Sequence, residues 1–351
     1  MARIVYGVMG DARGHVSRSL AVTQTLLERN PDHEFCFVGG GTVRDFADMG
    51  FRYEPYPMLE TVVRDGQVAP WATFSNAASI LIRRGEHIRR LMKLMEDFKA
   101  DIAITDYEYF VPRAAKRLGI PSVSVDHQHV MTHSRCEAPE GQLLNRISSD
   151  VVVQTLYSAS DRYLVSSFYR PDPKDPQTTE LFPPILRKPV RELASPERGD
   201  HVVVYVRGGS LEKLERVLEA VDRPLCVYGF GERPARGNIV FKAPSQAGFL
   251  EDLRTAAYAI SNGGHNLISE SLFLGKPVLA FPTGFFYEQH VNAFYLERMG
   301  IGMFSERMEE GAAMIGPFED KLEAMRGTIA SHQFFGNEAI ASRLESLMPR
   351  A

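Results

Sequence analysis

Cysteine is scarce in this chain: Cys36, Cys136 and Cys226 are the only three in 351 residues. None stands at CxxC spacing, which argues against a zinc ribbon and a disulfide-stapled scaffold and fits a reducing compartment. A surplus of one charge is also lacking. Lys and Arg number 40 against 44 Asp and Glu, a formal net charge of -4. No global field draws in nucleic acid, and no nucleic-acid partner is expected. No run of about 18 apolar residues occurs, so no membrane-spanning helix is predicted. Residues 1–10 enter a strand pattern directly, without a basic and then apolar leader, so no signal peptide is read and a cytoplasmic protein is expected. What is present is ordinary for a globular protein, 44% hydrophobic and 24% charged residues, which excludes disordered and collagenous chains. A single core stops growing beyond roughly 250–300 residues, so the length predicts about two domains.

Short apolar runs alternate with helical periodicity. Strands are predicted at Arg3–Val8, Glu34–Val38, Ile102–Thr105 and Ser122–Val125, with helices at His15–Arg29 and Val111–Leu118. This alternation implies an α/β fold with a parallel, doubly wound sheet. It breaks after Tyr163–Ser166, where seven of the 21 prolines fall between Pro171 and Pro196. Proline fixes φ and removes an amide donor, so this stretch is no central strand or helix interior. The alternation restarts with strands at His201–Val206, Leu225–Tyr228, Tyr258–Ser261 and Pro277–Phe281, and with helices at Leu211–Ala220, Gly248–Ala256, Asn266–Leu274 and Tyr287–Met299. The expected layout is an N-terminal Rossmann-like domain over 1–170, a linker over 171–198 and a C-terminal Rossmann-like domain over 199–351. The two domains are expected to face each other across a cleft, and the last helix to pack back on the N-terminal domain. Ligands of open α/β sheets bind beyond the carboxyl ends of the strands.

The segment Ser261–Gly302 is the richest in polar signals. A strand ends at Ser261, Gly263 and Gly264 turn the chain, and a helix opens near His265. A helix N-terminus after a glycine turn offers free amides and a partial positive charge, which suits phosphate. Glu270 lies one turn beyond Asn266 on the same face, where a carboxylate can accept hydrogen bonds from a ribose diol. Glu288 and Gln289 open the next helix with polar ends suited to sugar hydroxyls. An isolated Gly-Gly turn with a surface acid would be plain β–turn–helix architecture; the ordered set is a stronger signal.

These forty residues resemble the donor-nucleotide signature of GT-B glycosyltransferases, especially the plant UDP-sugar and MurG-type branches. The stretch PPILR at Pro183–Arg187 and the layout resemble the bacterial and archaeal MJ-type glycosyltransferase family. The resemblance implies a GT-B fold and a glycosyltransferase whose C-terminal domain holds a nucleotide-sugar donor, a UDP-sugar, and whose N-terminal domain holds a hydroxyl-bearing acceptor. It implies that Asn262 sits near the β-phosphate, that Gly264, His265 and Asn266 begin the phosphate-binding helix, that Glu270 holds the ribose, and that Glu288 and Gln289 hold the transferred sugar. Leu267 stands where plant enzymes have a phosphate-binding serine. Their base-stacking tryptophan has no counterpart; Phe241 and Lys242 lie nearest. Arg207, in the Arg207-Gly208-Gly209 turn, is a phosphate-contact candidate.

At the N-terminus, Gly7 near the end of the first strand and Gly10, Gly14 and His15 after it lack dinucleotide GxGxxG spacing. Enzymes of the resembled family carry Gly-His here, and the histidine implied as general base is His15, its ordinary pKa near neutrality suiting that task. Asp106 follows a strand, where the resemblance puts the carboxylate that orients the base; Glu108 is the substitute. Gly10, Gly14, Asp126, His127 and His129 are assigned to the acceptor side. The HxHxxxH run His127–His133 with Asp126 lacks convergent metal geometry, and no metal or cofactor is expected. The basic, amphipathic stretch 83–99 allows peripheral contact with the inner membrane face, although packing of its apolar face inward is the commoner outcome. Trp71, Phe74 and Ile80 are further acceptor-pocket candidates. A GT-B-fold sugar-nucleotide epimerase and a non-catalytic sugar-nucleotide-binding protein are the alternatives; the former would need paired carboxylates around the sugar.

Overall fold

The computed structural model describes residues 1–11, 13–59, 63–64, 67–68, 70–206, 211–284 and 286–349, with side chains at 63–74 outside the description. The chain divides into two compact units. One comprises Met1–Cys136, Asp150–Arg187 and Gly336–Ala351; the other comprises Glu137–Ser149 and Lys188–Phe335.

The first unit is built on a seven-stranded parallel sheet. From one edge to the other its strands are Arg52–Pro55, Glu34–Gly39, Arg3–Val8, Ile102–Asp106, Ser122–Asp126, Arg162–Ser166 and Thr179–Phe182. The first strand shows why the predicted runs lack polar alternation: helices cover both faces. Ile4, Tyr6 and Val8 join Phe35, Phe37 and Ile104 on one side, whereas Val5 joins Cys36, Val38 and Ala103 on the other. The second unit repeats the plan with six parallel strands in the spatial order Ile239–Phe241, Leu225–Tyr228, Val202–Tyr205, Tyr258–Ser261, Val278–Ala280 and Gly302–Phe304. In both units the strand order reverses beside the first strand. The loops after that strand and its neighbour diverge there, which opens the crevice where such sheets take ligands.

The observed boundaries differ from the expected ones. Residues 171–187 belong to the first unit, because Thr179–Phe182 adds an edge strand beside Arg162–Ser166. An edge position tolerates the prolines that exclude a central strand. Glu137–Ser149 groups with the second unit, where Tyr295 Oη accepts the Glu137 amide at 3.0 Å and Gln142 Nε2 donates to Glu306 Oε1 at 2.9 Å. Helix Asn337–Leu347 belongs to the first unit. Ile340, Ala341 and Leu344 enter the core beside Ile4 and Tyr6, and Asn337 exchanges hydrogen bonds with the Leu186 backbone at 2.8 and 3.0 Å.

Helix Arg84–Phe98 buries Ile88, Leu91, Met95 and Phe98 in the first unit's core. Its apolar face is therefore used in packing. Several of its charges pair at the surface, Lys93 with Asp97 and Arg90 with Glu54.

Glu108 caps helix Val111–Leu118: its carboxylate accepts the amides of Phe110 at 2.8 Å and Val111 at 2.7 Å. It is thus committed to the helix rather than to the base histidine. Burial pushes its carboxyl from the ordinary 4.5 up to about 7, against the lowering pull of those amides. A raised carboxyl pKa means that the folded chain holds the proton more tightly than the unfolded one. This contribution is then greatest below pH 4.5 and is lost as pH rises to about 7. Relative to Glu108→Gln, wild type should lose about 3 kcal/mol between pH 4.5 and 8; urea denaturation of both proteins across that range checks it.

Candidate functional site

His15, Arg18 and Ser19 share one face of helix Arg13–Arg29, as the i, i+3, i+4 spacing requires. That face meets Asp106, the last residue of strand Ile102–Asp106. His15 Nδ1 lies 2.7 Å from Asp106 Oδ1. Arg18 grips the same carboxylate with two donors, Nε to Oδ2 at 2.8 Å and Nη2 to Oδ1 at 2.6 Å, and Ser19 Oγ lies 3.4 Å from Oδ2. Asp106 is fully buried, whereas 13% of the His15 side chain is exposed. Arg18 Nη2 also lies 3.1 Å from His15 Nδ1; because a carboxylate only accepts, the 2.7 Å contact assigns the ring proton to Nδ1 and leaves Nε2 as the accepting nitrogen. Removing one partner of such a buried ion pair costs about 3–5 kcal/mol, so the carboxylate is firmly held. The predicted His15–Asp106 pair is therefore present. Arg18 was missed, although its position three residues after His15 was the available signal.

The residue after Asp106 shows backbone strain. Tyr107 adopts φ +54°, a left-handed conformation that costs a bulky residue of order 1–3 kcal/mol. Its ring stacks against Tyr157 at 3.8 Å and faces His15 at 5.7 Å.

The acceptor-side candidates have other places. Gly10 is needed for packing: a Cβ there would lie 2.0 Å from Gly40 O, and its carbonyl accepts from Thr42 N and Oγ1. Gly14 lies in the first turn of helix Arg13–Arg29. Asp126, His127 and His129 are buried inside the first unit and present no side chain to an acceptor at the surface. Asp126 accepts from Ser124 Oγ at 2.6 Å and from His129 N at 3.0 Å, while His129 Nδ1 lies 2.6 Å from its Oδ2. Burial acts to raise the Asp126 carboxyl, but His129 and these hydrogen bonds hold it well below the usual range. His127 Nδ1 lies 3.0 Å from Ser166 O. Burial, with the His129 charge, pushes His133 down to about 4. The side chains of Trp71 and Phe74 lie outside the described residues.

In the second unit, strand Tyr258–Ser261 leads through Asn262, Gly263 and Gly264 into helix His265–Phe273. Gly263 has φ +85°, and a Cβ there would lie 2.8 Å from Gln289 O, so only glycine fits. Asn292 Nδ2 donates to Gly263 O at 3.0 Å, which ties the turn to helix Tyr287–Arg298. Asn292 was also missed; it lies one turn after Gln289. Gln289 Oε1 accepts from Thr283 N at 3.1 Å and Oγ1 at 2.9 Å, so this side chain orders its own loop. Glu288 stands beside it in the helix's first turn. Asn262 Nδ2 donates to Phe281 O at 3.3 Å, and Ser269 Oγ lies 3.4 Å from His265 Nε2. The N-cap of helix His265–Phe273, Gly264, makes no side-chain capping hydrogen bond, and the helix's first turn contains no acidic residue of its own. Asn266 is half-buried and Glu270 buried. The structure thus brings the Gly263 turn, Gln289 and Asn292 together.

Two further candidates fare differently. Phe241 is buried in the second unit's core with Val204, Val227, Ile239 and Ile260, and the Arg233 guanidinium lies over its ring, 5.9 Å from the centroid. Arg207 lies outside the described residues. Among the described residues, metal-ligand side chains converge at His201, Cys226 and Asp252. There the Lys242 ammonium sits 2.6 Å from Asp252 Oδ2. No helix of the described residues is long and apolar enough to cross a membrane.

The profile of glycosyl transferase family 1 matches residues 2–322. An uncharacterized glycosyltransferase of Methanosarcina acetivorans is 24% identical over 325 residues, covering 86% of this chain and 84% of its own. Among solved structures, Phytolacca americana UGT2, complexed with UDP-2-fluoro-glucose and pterostilbene, superposes with a TM-score of 0.68 at 15% identity, covering 99% of each chain. MurG of Acinetobacter baumannii gives 0.64 at 16% identity, over 98% of this chain and 99% of its own. With its two parallel sheets and a family match over most of its length, the chain belongs to glycosyl transferase family 1 and is a glycosyltransferase of GT-B fold.

Proposed function

We propose that the enzyme moves a sugar from a uridine diphosphate sugar to a hydroxyl-bearing acceptor, with inversion at the anomeric carbon and without a metal ion. The observation that carries this reading is the 2.7 Å contact between His15 Nδ1 and Asp106 Oδ1. With Nδ1–H held by the carboxylate, Nε2 takes the acceptor's hydroxyl proton as its oxygen attacks the anomeric carbon. The bond from that carbon to the diphosphate breaks on the opposite side, and the electron pair leaves with UDP. One displacement in line inverts the centre. Asp106 steadies the imidazolium that forms, as a triad aspartate does.

In the second unit, the first-turn amides and dipole of helix His265–Phe273 receive the diphosphate charge, which removes the need for a metal. Glu270 takes the ribose diol, and Glu288 with Gln289 takes the sugar hydroxyls. Support for UDP comes from the Phytolacca americana enzyme, which is complexed with a UDP-sugar analogue. The nucleotide sugar is a co-substrate, and the scheme uses no cofactor.

His15→Ala should lower turnover by about 10²–10⁴ with donor affinity nearly unchanged, and should abolish the acid limb of the pH–rate profile. Transfer at near wild-type rate by the folded variant sinks the assignment. Asp106→Asn should reduce turnover less, and add little in the double variant. Glu270→Ala should weaken UDP binding roughly 10- to 150-fold, the loss of a charge-assisted hydrogen bond of about 1.5–3 kcal/mol; calorimetry on the folded variant measures it. Activity should survive EDTA, and loss restored only by Mg²⁺ or Mn²⁺ would refute metal independence.

A further inference from the structure

The second unit contains a cavity of about 430 Å³ that the proposed reaction does not use. It opens at the C-terminal end of helix His265–Phe273, where Phe273, Gly275 and Lys276 line it. At 1.5 Å per residue, this nine-residue helix holds the cavity about 13 Å from the amides assigned to the diphosphate. The volume lies within the range of small-molecule pockets.

The cavity has a cationic wall and an apolar wall. Lys276, Arg198 and Arg326 supply the cations. The one lining carboxylate, Glu197, is already paired with Arg254 at 2.6 Å. Arg198 and Arg326 share a single acid, Glu323. Lys276 is 3% exposed, and its ammonium donates to the Glu197 carbonyl. An ammonium has three N–H donors, and this bond uses one of them. Burial, together with Arg326, Arg254 and Arg198, pushes the lysine down to about 8. Opposite charge is therefore under-supplied around an amine kept out of water. The apolar wall comprises Phe273, Phe334 and Phe335, with the Phe273 and Phe335 rings 6.2 Å apart.

A buried ammonium demands a partner, and aromatic walls favour a flat apolar body. A nucleoside diphosphate brings more charge and polar surface than the aromatic wall suits. We propose that this cavity is a binding site for a small arylalkyl carboxylate, whose carboxylate pairs with Lys276 and Arg198 while its ring lies against Phe273, Phe334 and Phe335.

The test is ¹⁹F NMR of the full chain with 4-fluorophenylacetate, beside the neutral 2-(4-fluorophenyl)ethanol. The acid should bind at roughly millimolar Kd, as its small size dictates, and the alcohol at least several-fold more weakly. UDP should not displace the acid. Lys276→Met should weaken binding about tenfold or more, the size of a lost charge-assisted hydrogen bond. Because a buried lysine can be needed for folding, Arg198→Gln is the second variant; its side chain is 71% exposed, and it should weaken binding several-fold in a protein of unaltered stability. Equal binding of acid and alcohol, displacement by UDP, absence of binding, or wild-type affinity in Arg198→Gln would overturn the proposal.

Discussion

Parallel pairing of strands constrains everything else in this molecule. Each connection must return over a face of the sheet, so every loop that follows a strand gathers at one edge. Where the strand order reverses, two of these loops part. In the first unit His15, in the helix after one of them, and Asp106, at the end of the strand before the other, are brought from 91 residues apart to 2.7 Å. In the second, one of them is the Asn262–Gly264 turn ahead of an uncapped helix. The chemistry depends on these edges, and the edges exist because both sheets are wound in the same order.

The two sites are held by different physical means. Around Asp106 the hold is electrostatic: a buried carboxylate takes His15 from one direction and both donors of Arg18 from another. Around Gly263 it is steric, because a backbone at φ +85° packed against Gln289 leaves no room for a side chain. The Asn292 amide then fixes the turn to the following helix. A charge network suits the proton exchange proposed for His15. A rigid backbone turn suits the fixed amide dipoles proposed to meet the diphosphate.

Much of the fold was legible in the sequence, because strands covered on both faces appear as short uninterrupted apolar runs, such as Ile102–Thr105 and Ser122–Val125. His15, Asp106 and the Gly263 turn were legible because each stands at a strand or helix end with a recognisable neighbour. Arg18 was not, since an arginine within a helix looks like solvated surface until its partner is known. Asp126 and His129 were misplaced for the opposite reason. Polar residues after a strand suggest an open loop, but these satisfy one another and are sealed inside. Thr179–Phe182 hid among prolines because a four-residue edge strand leaves too little periodicity to register.

The position of helix Asn337–Leu347 also bears on the order in which the molecule is made. Its Ile340 and Leu344 share a core with Ile4 and Tyr6. On the ribosome, the earliest strands therefore wait for almost the whole chain before that core can close. The six strands of the second unit, the last of them Gly302–Phe304, are all made before that helix. The first unit's core thus closes only after the second unit's strands have been synthesised.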